Sequence, residues 1–229
     1  MLKKIPVIDL KQHQAVSGKS GMRDTYTPLN TIFAPSSSPV EIAQGLKLNG
    51  ADEIYIADLD LIQSRGHNID DIKMVNTILP VMFDGGVKNL EGFEFFLDYA
   101  YKIIIPTETL ESIDEMRKIF EKYPKERIVV SVDVKDNEML SENLDLSLEE
   151  FKEILKELNP NEIILLDISG VGTEKGYNKQ LLDGFEELKD KLIIAGGLNK
   201  QSIGELDAIG IKKVLVGTSL HSGEVKLLE

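Results

Sequence analysis

The sequence predicts an α/β fold, a (β/α)8 TIM barrel built from two (β/α)4 half-barrel repeats, and three observations lead there. Short apolar runs alternate with helix-period segments from one end of the chain to the other. The apolar runs are rich in Val and Ile and lack polar alternation, as strands covered on both faces of a parallel sheet require. The third observation is a repeat. Phe83-Asp84-Gly85-Gly86-Val87, followed by Ile104-Ile105-Pro106-Thr107, is answered by Ile194-Ala195-Gly196-Gly197-Leu198, followed by Leu215-Val216-Gly217-Thr218. Gly85 and Gly196 stand 111 positions apart, as do Thr107 and Thr218. A strand–turn–helix series written twice is two copies of a half-fold, about 1–123 and 124–229 within one domain of 1–229. An open doubly wound sheet also alternates, but does not by itself explain four elements repeated as four.

The strands are expected at 5–10, 53–58, 80–84, 102–106, 127–134, 161–167, 191–195 and 212–216. Amphipathic helices are expected near 39–49, 69–79, 89–100, 110–123, 147–158, 178–189 and 200–209. Ser38-Pro39-Val40-Glu41 starts the first helix as a capping box with proline at its first position, and Ser147-Leu148-Glu149-Glu150 is a second box. Residues 11–37 read as a long polar loop after strand one, with Gly18, Gly21, Pro28 and Pro35. A loop of that length in a compact domain is usually a lid or binding element, and this one springs from the end where barrel active sites sit. After the last strand only Leu220 to Glu229 follow, so the last helix is truncated. The side near the first and last strands is then either left open to a second copy of the chain in a homo-oligomer or covered by the short tail.

Composition narrows the partners. A net charge of −13 argues against a nucleic-acid groove or an anionic membrane surface, since both need concentrated Lys and Arg. A small phosphorylated metabolite remains open, because backbone N–H groups hold phosphate without net positive charge. With no cysteine, thiol catalysis and zinc–thiolate sites are excluded. His13, His67 and His221 lack paired spacing, so no metal is expected, and no cofactor is called for. The absence of a signal peptide or a long apolar run leads to the expectation of a cytoplasmic protein.

Asp9 and Asp133 end equivalent strands of the two halves. In a parallel barrel both ends face one mouth, so the two carboxylates should flank one pocket. Such a pair can divide the general acid and general base roles. Each alone reads as a loop-capping Asp; the symmetric pair shifts the balance towards catalysis. Asp58 and Asp167 form a second symmetric pair, read as structural groups that bond loop N–H, with Asp60 left open. The glycine words after strands six, seven and eight, Gly172-Thr173, Gly196-Gly197 and Gly217-Thr218, let backbone approach a ligand and read as a phosphate cradle. Their first-half counterparts, Gly85, Gly86 and Thr107, read as a weaker second anion or substrate site. Pro106 stands where Gly217 does and offers no N–H, and Asp84 sets a carboxylate beside the glycines. One phosphate site is therefore expected, in the second half.

These residues resemble the HisA/HisF family of histidine biosynthesis, comprising ProFAR isomerase and the cyclase subunit of imidazole glycerol phosphate synthase. The resemblance spans nearly the whole chain. It rests on Ile5-Pro6-Val7-Ile8-Asp9-Leu10-Lys11, Ala57-Asp58-Leu59-Asp60, Gly66-His67-Asn68, Gly85-Gly86, Arg127-Ile128-Val129-Val130-Ser131-Val132-Asp133, Asp167-Ile168-Ser169, Gly172-Thr173, Gly196-Gly197 and Val216-Gly217-Thr218. It implies a duplicated half-barrel, two opposed phosphate sites, and an Asp after strand one working with an acid or base from the second half.

The departures are informative. The isomerase pattern Thr-Asp-Ile-Ser-Arg-Asp-Gly-Thr falls on Leu166 to Thr173, with Leu166, Gly170 and Val171 at the Thr, Arg and second Asp positions. The acid that the second Asp supplies in the family is thus gone. The basic residue of the first loop falls on Ser17, with Lys19 or Arg23 as substitutes, and the Arg-Gly-Trp-type contact is absent from Lys135 to Leu144. The chain reads as a divergent relative, in the archaeal and methylotroph group known as related to HisA/HisF. Its Gly21-to-Pro28 loop, with Lys19, Arg23 and Tyr26, would then recognise the substrate. The expected activity is an isomerase or related proton-transfer lyase on a small, singly phosphorylated, sugar-like metabolite. The alternatives are ProFAR isomerase itself and a non-catalytic phosphometabolite-binding protein derived from the family.

Overall fold

The computed structural model describes residues 2–228; residues 1 and 229, the two ends of the expected domain, lie outside the described residues. The strands are β1 (Lys3–Lys11), β2 (Gln14–Ser17), β3 (Thr27–Pro28), β4 (Ile54–Asp58), β5 (Val81–Asp84), β6 (Lys102–Pro106), β7 (Ile128–Lys135), β8 (Glu138–Met139), β9 (Ile163–Asp167), β10 (Leu192–Ala195) and β11 (Lys213–Val216). The order β11-β10-β9-β7-β6-β5-β4-β1 runs parallel throughout, and β1 pairs with β11 to close the ring. This is the eight-stranded (β/α)8 TIM barrel that the alternation of elements predicts.

The helices are α1 (Pro39–Leu48), α2 (Leu59–Ile62), α3 (Ile69–Asn76), α4 (Leu90–Phe96), α5 (Ile113–Lys122), α6 (Leu148–Leu158), α7 (Lys179–Asp183), α8 (Lys200–Ala208) and α9 (Thr218–His221). Both predicted capping serines cap their helices, but only one box is complete. Ser38 accepts from the Glu41 N–H while the Glu41 carboxylate accepts from the Ser36 hydroxyl, and Ser147 with Glu150 forms a complete box. The helix expected over 178–189 is broken at Gly184 into α7 and a 3-10 turn at Glu186–Lys191.

Two cores explain why the strands lack polar alternation. Inside the barrel, Ile5, Tyr55, Met82, Ile104, Val129, Ile164, Ile193 and Leu215 supply one inward side chain per barrel strand. A larger core lies between the barrel and its helices, including Ile8, Ile56, Phe83, Phe93, Ile105, Phe151 and Val214. Side chains alternate along a strand, so residues two or four beyond each inward residue also point inward, towards the mouth.

One loop expectation is corrected. Residues 11–37 contain secondary structure: β2 folds back antiparallel on β1, and β3 pairs with β2. The hairpin turn uses Gln12 and His13 at φ 51° and 63°, a conformation usually given to Asn-Gly. Neither residue advertises a turn. The structure holds it from outside, with Asp60 accepting from the Gln12 N–H at 2.6 Å and Asn68 Oδ1 from the His13 N–H at 2.6 Å. At the other end, the last helix is one turn long, and the tail covers the nearby side. Val225 is buried in the outer core, and its N–H donates to the Ser219 carbonyl.

The base of the barrel is closed by a ring of charge. Lys102 Nζ lies 3.3 Å from Glu53 and 2.7 Å from Glu162; Lys3 pairs with Glu53 and Lys213 with Glu162. Glu162 bridges β6 and β11 from a nearly buried position. Replacing it by Ala leaves Lys213 without its carboxylate and Lys102 with Glu53 alone, and we expect Glu162→Ala to cost roughly 2–4 kcal/mol in urea unfolding, against a much smaller loss for exposed Arg117→Ala. Equal costs would remove the ring from the account of stability.

Candidate active site

Inward parity places three acids at the mouth. Asp9 stands four residues beyond inward Ile5, Asp133 four beyond Val129, and Asp84 two beyond Met82. Register brings two of them level: Asp9 is opposite Ala57, and Ala57 opposite Asp84. All three line one cavity of about 160 Å³, together with Arg23, Tyr26, Tyr55 and Glu108 on one side. Val171, Gly172, Glu174, Gly196, Gly197, Gly217 and Thr218 line it on the other. The opposed acids of the two halves therefore share a pocket.

Each acid is held differently. Asp133, 3% exposed, accepts from the Ser131 hydroxyl at 2.7 Å, and its own N–H donates to Thr107 Oγ1 at 3.0 Å. Asp84, 8% exposed, accepts from the Gly86 N–H at 3.0 Å and the Tyr55 hydroxyl at 3.3 Å. Asp9 is half-buried; its electrostatic neighbours are Arg23, which favours its charged form, and Asp84, which opposes it. Burial is the main cause that lifts all three carboxyls, Asp9 and Asp133 to about 7 and Asp84 to about 6. The charge of Asp84 adds to the rise at both of the others. Burial, and then Asp9, pushes the Tyr26 hydroxyl up to about 12.

The loop between β2 and β3 roofs the cavity. The Ser20 N–H donates to the Val171 carbonyl at 2.9 Å, and its hydroxyl to the Ser169 carbonyl at 3.2 Å, across the mouth from β1. Arg23 makes a two-pronged ion pair with Glu108, at 2.9 and 2.7 Å. Burial works against the Arg23 charge, but Glu108 overrides it and holds the guanidinium protonated. Arg65 grips Asp24 at 2.6 Å from the loop after β4. A Cβ at Gly18 would sit 2.0 Å from the Tyr26 ring, so glycine there seats that ring.

The glycine words have a packing role as well as an open face. Gly172, Gly196 and Gly197 have φ of 68°, 102° and 68°, which only glycine adopts easily. A Cβ would meet the Gly18 carbonyl oxygen at 2.3 Å, that of Asp167 at 2.3 Å, and that of Gly170 at 2.5 Å, respectively. These glycines let three loops nest at the mouth. Thr173 does not line the cavity; its hydroxyl donates to the Gly170 carbonyl at 2.6 Å. Gly85, Gly86 and Thr107 also lie off the cavity. Gly85 packs on Phe83 and Phe96, while the Gly86 N–H and the Thr107 hydroxyl serve Asp84 and Asp133. Of the loop residues, Arg23 and Tyr26 reach the cavity and Lys19 is exposed outside it.

Asp58 and Asp167 are turn-binding groups. Asp58 accepts from the Asp60, Leu61 and Asn68 N–H groups, and Asp167 from that of Ser169. Sequence reasoning missed Tyr55, Glu108 and Glu174. Tyr55 was readable from parity with Ala57 once the strand's inward face was known. Glu108 and Glu174 sit in loops, where no periodicity assigns direction.

Comparisons agree with the geometry. The family model described as histidine biosynthesis protein matches residues 4–226. An uncharacterized protein of Methanocaldococcus jannaschii is 37% identical over 100% of this chain and 97% of its own. A protein of Ruminiclostridium cellulolyticum, named 1-(5-phosphoribosyl)-5-((5-phosphoribosylamino)methylideneamino) imidazole-4-carboxamide isomerase, is 30% identical over 98% of this chain and 96% of its own. One of the same name from Cenarchaeum symbiosum is 29% identical over 99% and 97%. With a closed barrel, paired mouth acids and a family match from residue 4 to residue 226, the chain belongs to the histidine biosynthesis protein family, the HisA/HisF group its motifs resemble.

Proposed function

We propose that this chain is an enzyme of proton transfer, an isomerase or a lyase of related chemistry, acting on a small, singly phosphorylated, sugar-like metabolite. The observation that carries this reading is the pair Asp9 and Asp133 lining one cavity, where burial lifts both carboxyls to about 7. Near neutral pH one of them can be protonated while the other is ionised, which acid–base catalysis needs. Their surroundings suggest which is which. Arg23 favours the charged form of Asp9, making it the base that removes a carbon-bound proton. Asp84 and Glu108 disfavour the charged form of Asp133, making it the acid that protonates a ring or leaving oxygen. Ser131 and Thr107 fix the position of Asp133.

The backbone at Gly172, Gly196, Gly197 and Gly217, with Thr218, is the proposed seat of the single phosphate. Half-exposed Glu174 also lines the cavity. The phosphate then orients the substrate without taking part in the chemistry. The space under the lid is on the scale of a cavity that holds a benzene-sized guest. A long ligand with a phosphate at each end requires the lid to lift.

The names of the isomerase relatives favour a second reading, ProFAR isomerase itself. Against it, apolar Val171 lines the cavity where the family pattern has an acid. We expect the chain to fail to restore growth to a histidine auxotroph lacking the isomerase; robust growth decides for the second reading.

For the first reading, incubation in D2O with a panel of sugar phosphates should place deuterium on a carbon beside a carbonyl, read by NMR. Asp9→Asn should slow that exchange by about 10²–10⁴-fold, with phosphate binding retained. Exchange at the unaltered rate in both Asp9→Asn and Asp133→Asn refutes the assignment of these acids, and no exchange with the unaltered chain leaves a binding protein.

A pH dependence of stability follows from Asp133. Its native pKa, about 7, is above the ordinary carboxyl value, so the folded state holds the proton more tightly than the unfolded chain. The stabilisation is fully present below about pH 4 and is lost as pH rises through 7. Asp133→Asn should therefore be more stable than the parent by roughly 1–3 kcal/mol near pH 8, with the gain fading as pH falls to about 4. Urea midpoints across that range check it, and a gain independent of pH contradicts it.

A further inference from the structure

The cavity carries far more negative than positive charge. Asp9, Asp84, Glu108, Asp133 and Glu174 line it, against the single guanidinium of Arg23 among the described residues. That guanidinium is engaged at both NH groups by Glu108. His221 also reaches the wall, but burial pushes its pKa down and its ring is tied to the Val7 carbonyl and to Thr31. A second phosphate would find little to hold it here.

The first half has withdrawn anion donors from the cavity. The Gly86 N–H is given to Asp84, Thr107 is fully buried off the cavity with its oxygen accepting from the Asp133 N–H, and Pro106 has no N–H to offer. In their place stands the carboxyl of Asp84, 8% exposed and lining the cavity. Asp9 lies level with it across Ala57, whose small side chain leaves room between them. Among the described residues, no Lys, Arg or His forms an ion pair with Asp9 or Asp84. Buried carboxylates short of a counter-charge are costly, and a cationic ligand group relieves that cost.

We propose that this half of the cavity seats a protonated amine against Asp84, with Asp9 beside it, so that the substrate is an amine-bearing monophosphate. An ammonium suits the seat because it offers three donors and no acceptor. The phosphate half rests on the function proposed above; the amine half stands on the carboxyls alone.

The test is calorimetric titration of the whole chain near pH 8, where the amine is protonated. The probes are inorganic phosphate, 3-aminopropyl phosphate, 3-hydroxypropyl phosphate and propylamine. We expect the aminopropyl ester to bind about tenfold or more tighter than the hydroxypropyl ester, the scale of one charge-assisted contact. In Asp84→Asn, whose amide oxygen still accepts from the Gly86 N–H, that preference should collapse while phosphate affinity is unchanged. Equal affinity for the two esters, or preference for the hydroxyl, overturns the amine seat and leaves the phosphate reading standing. Failure of phosphate and both esters to bind overturns the phosphate reading. The amine seat is then judged by propylamine, whose binding must appear in the parent and vanish in Asp84→Asn. An amine preference that survives in Asp84→Asn overturns the role of Asp84.

Discussion

The desolvation of carboxyl groups at the mouth of a closed barrel is the constraint from which the rest of the site follows. Closing the ring forces alternate residues of each strand inward, and the inward positions below the mouth are filled with apolar side chains. An acid at the next inward position has that apolar floor beneath it and the lid above. Water is largely excluded, so the charged form is disfavoured and the proton is retained to neutral pH. The same burial that weakens the fold near neutral pH gives the chain groups able to exchange protons there.

The lid belongs to this constraint. Arg23 brings one positive charge over the acids, and Glu108 fixes its direction. Without Glu108 the guanidinium would be free to neutralise Asp9 or Asp84 outright. With it, Arg23 biases Asp9 towards the charged form and leaves the cavity negative. Ser20 completes the roof by bonding the strand-nine side, so the first half's loop rests on the second half's loop. The close approach of Gly172 to Gly18 is part of that contact. The glycines at the mouth are needed for the roof to close, whatever they also do for a ligand.

The two halves of the barrel carry matching positions that are unequally equipped. Gly196-Gly197 and Gly217 keep open backbone at the cavity. Gly85 and Gly86 have turned to structural work, with Asp84 as the group left facing the cavity. On the proposed reading, two halves with opposite preferences for charge would fix the direction in which an unsymmetrical ligand lies.

How much of this was legible depended on the range of the interaction involved. Period and repetition are written locally, so the sequence by itself determined the barrel, its doubling, the capping serines of α1 and α6, and Asp9 and Asp133 as opposed acids at the strand ends. The turn at Gln12 and His13 was hidden because Asp60 and Asn68 impose it from another part of the chain. Glu108 and Glu174 were hidden because a loop side chain has no period to set its direction. Thr107 and Gly86 were read as facing a ligand, whereas tertiary packing gave their polar groups to Asp133 and Asp84. Only the folded barrel decided the charge of the cavity and the protonation of its acids, because both depend on which groups from distant segments exclude water from the same small space.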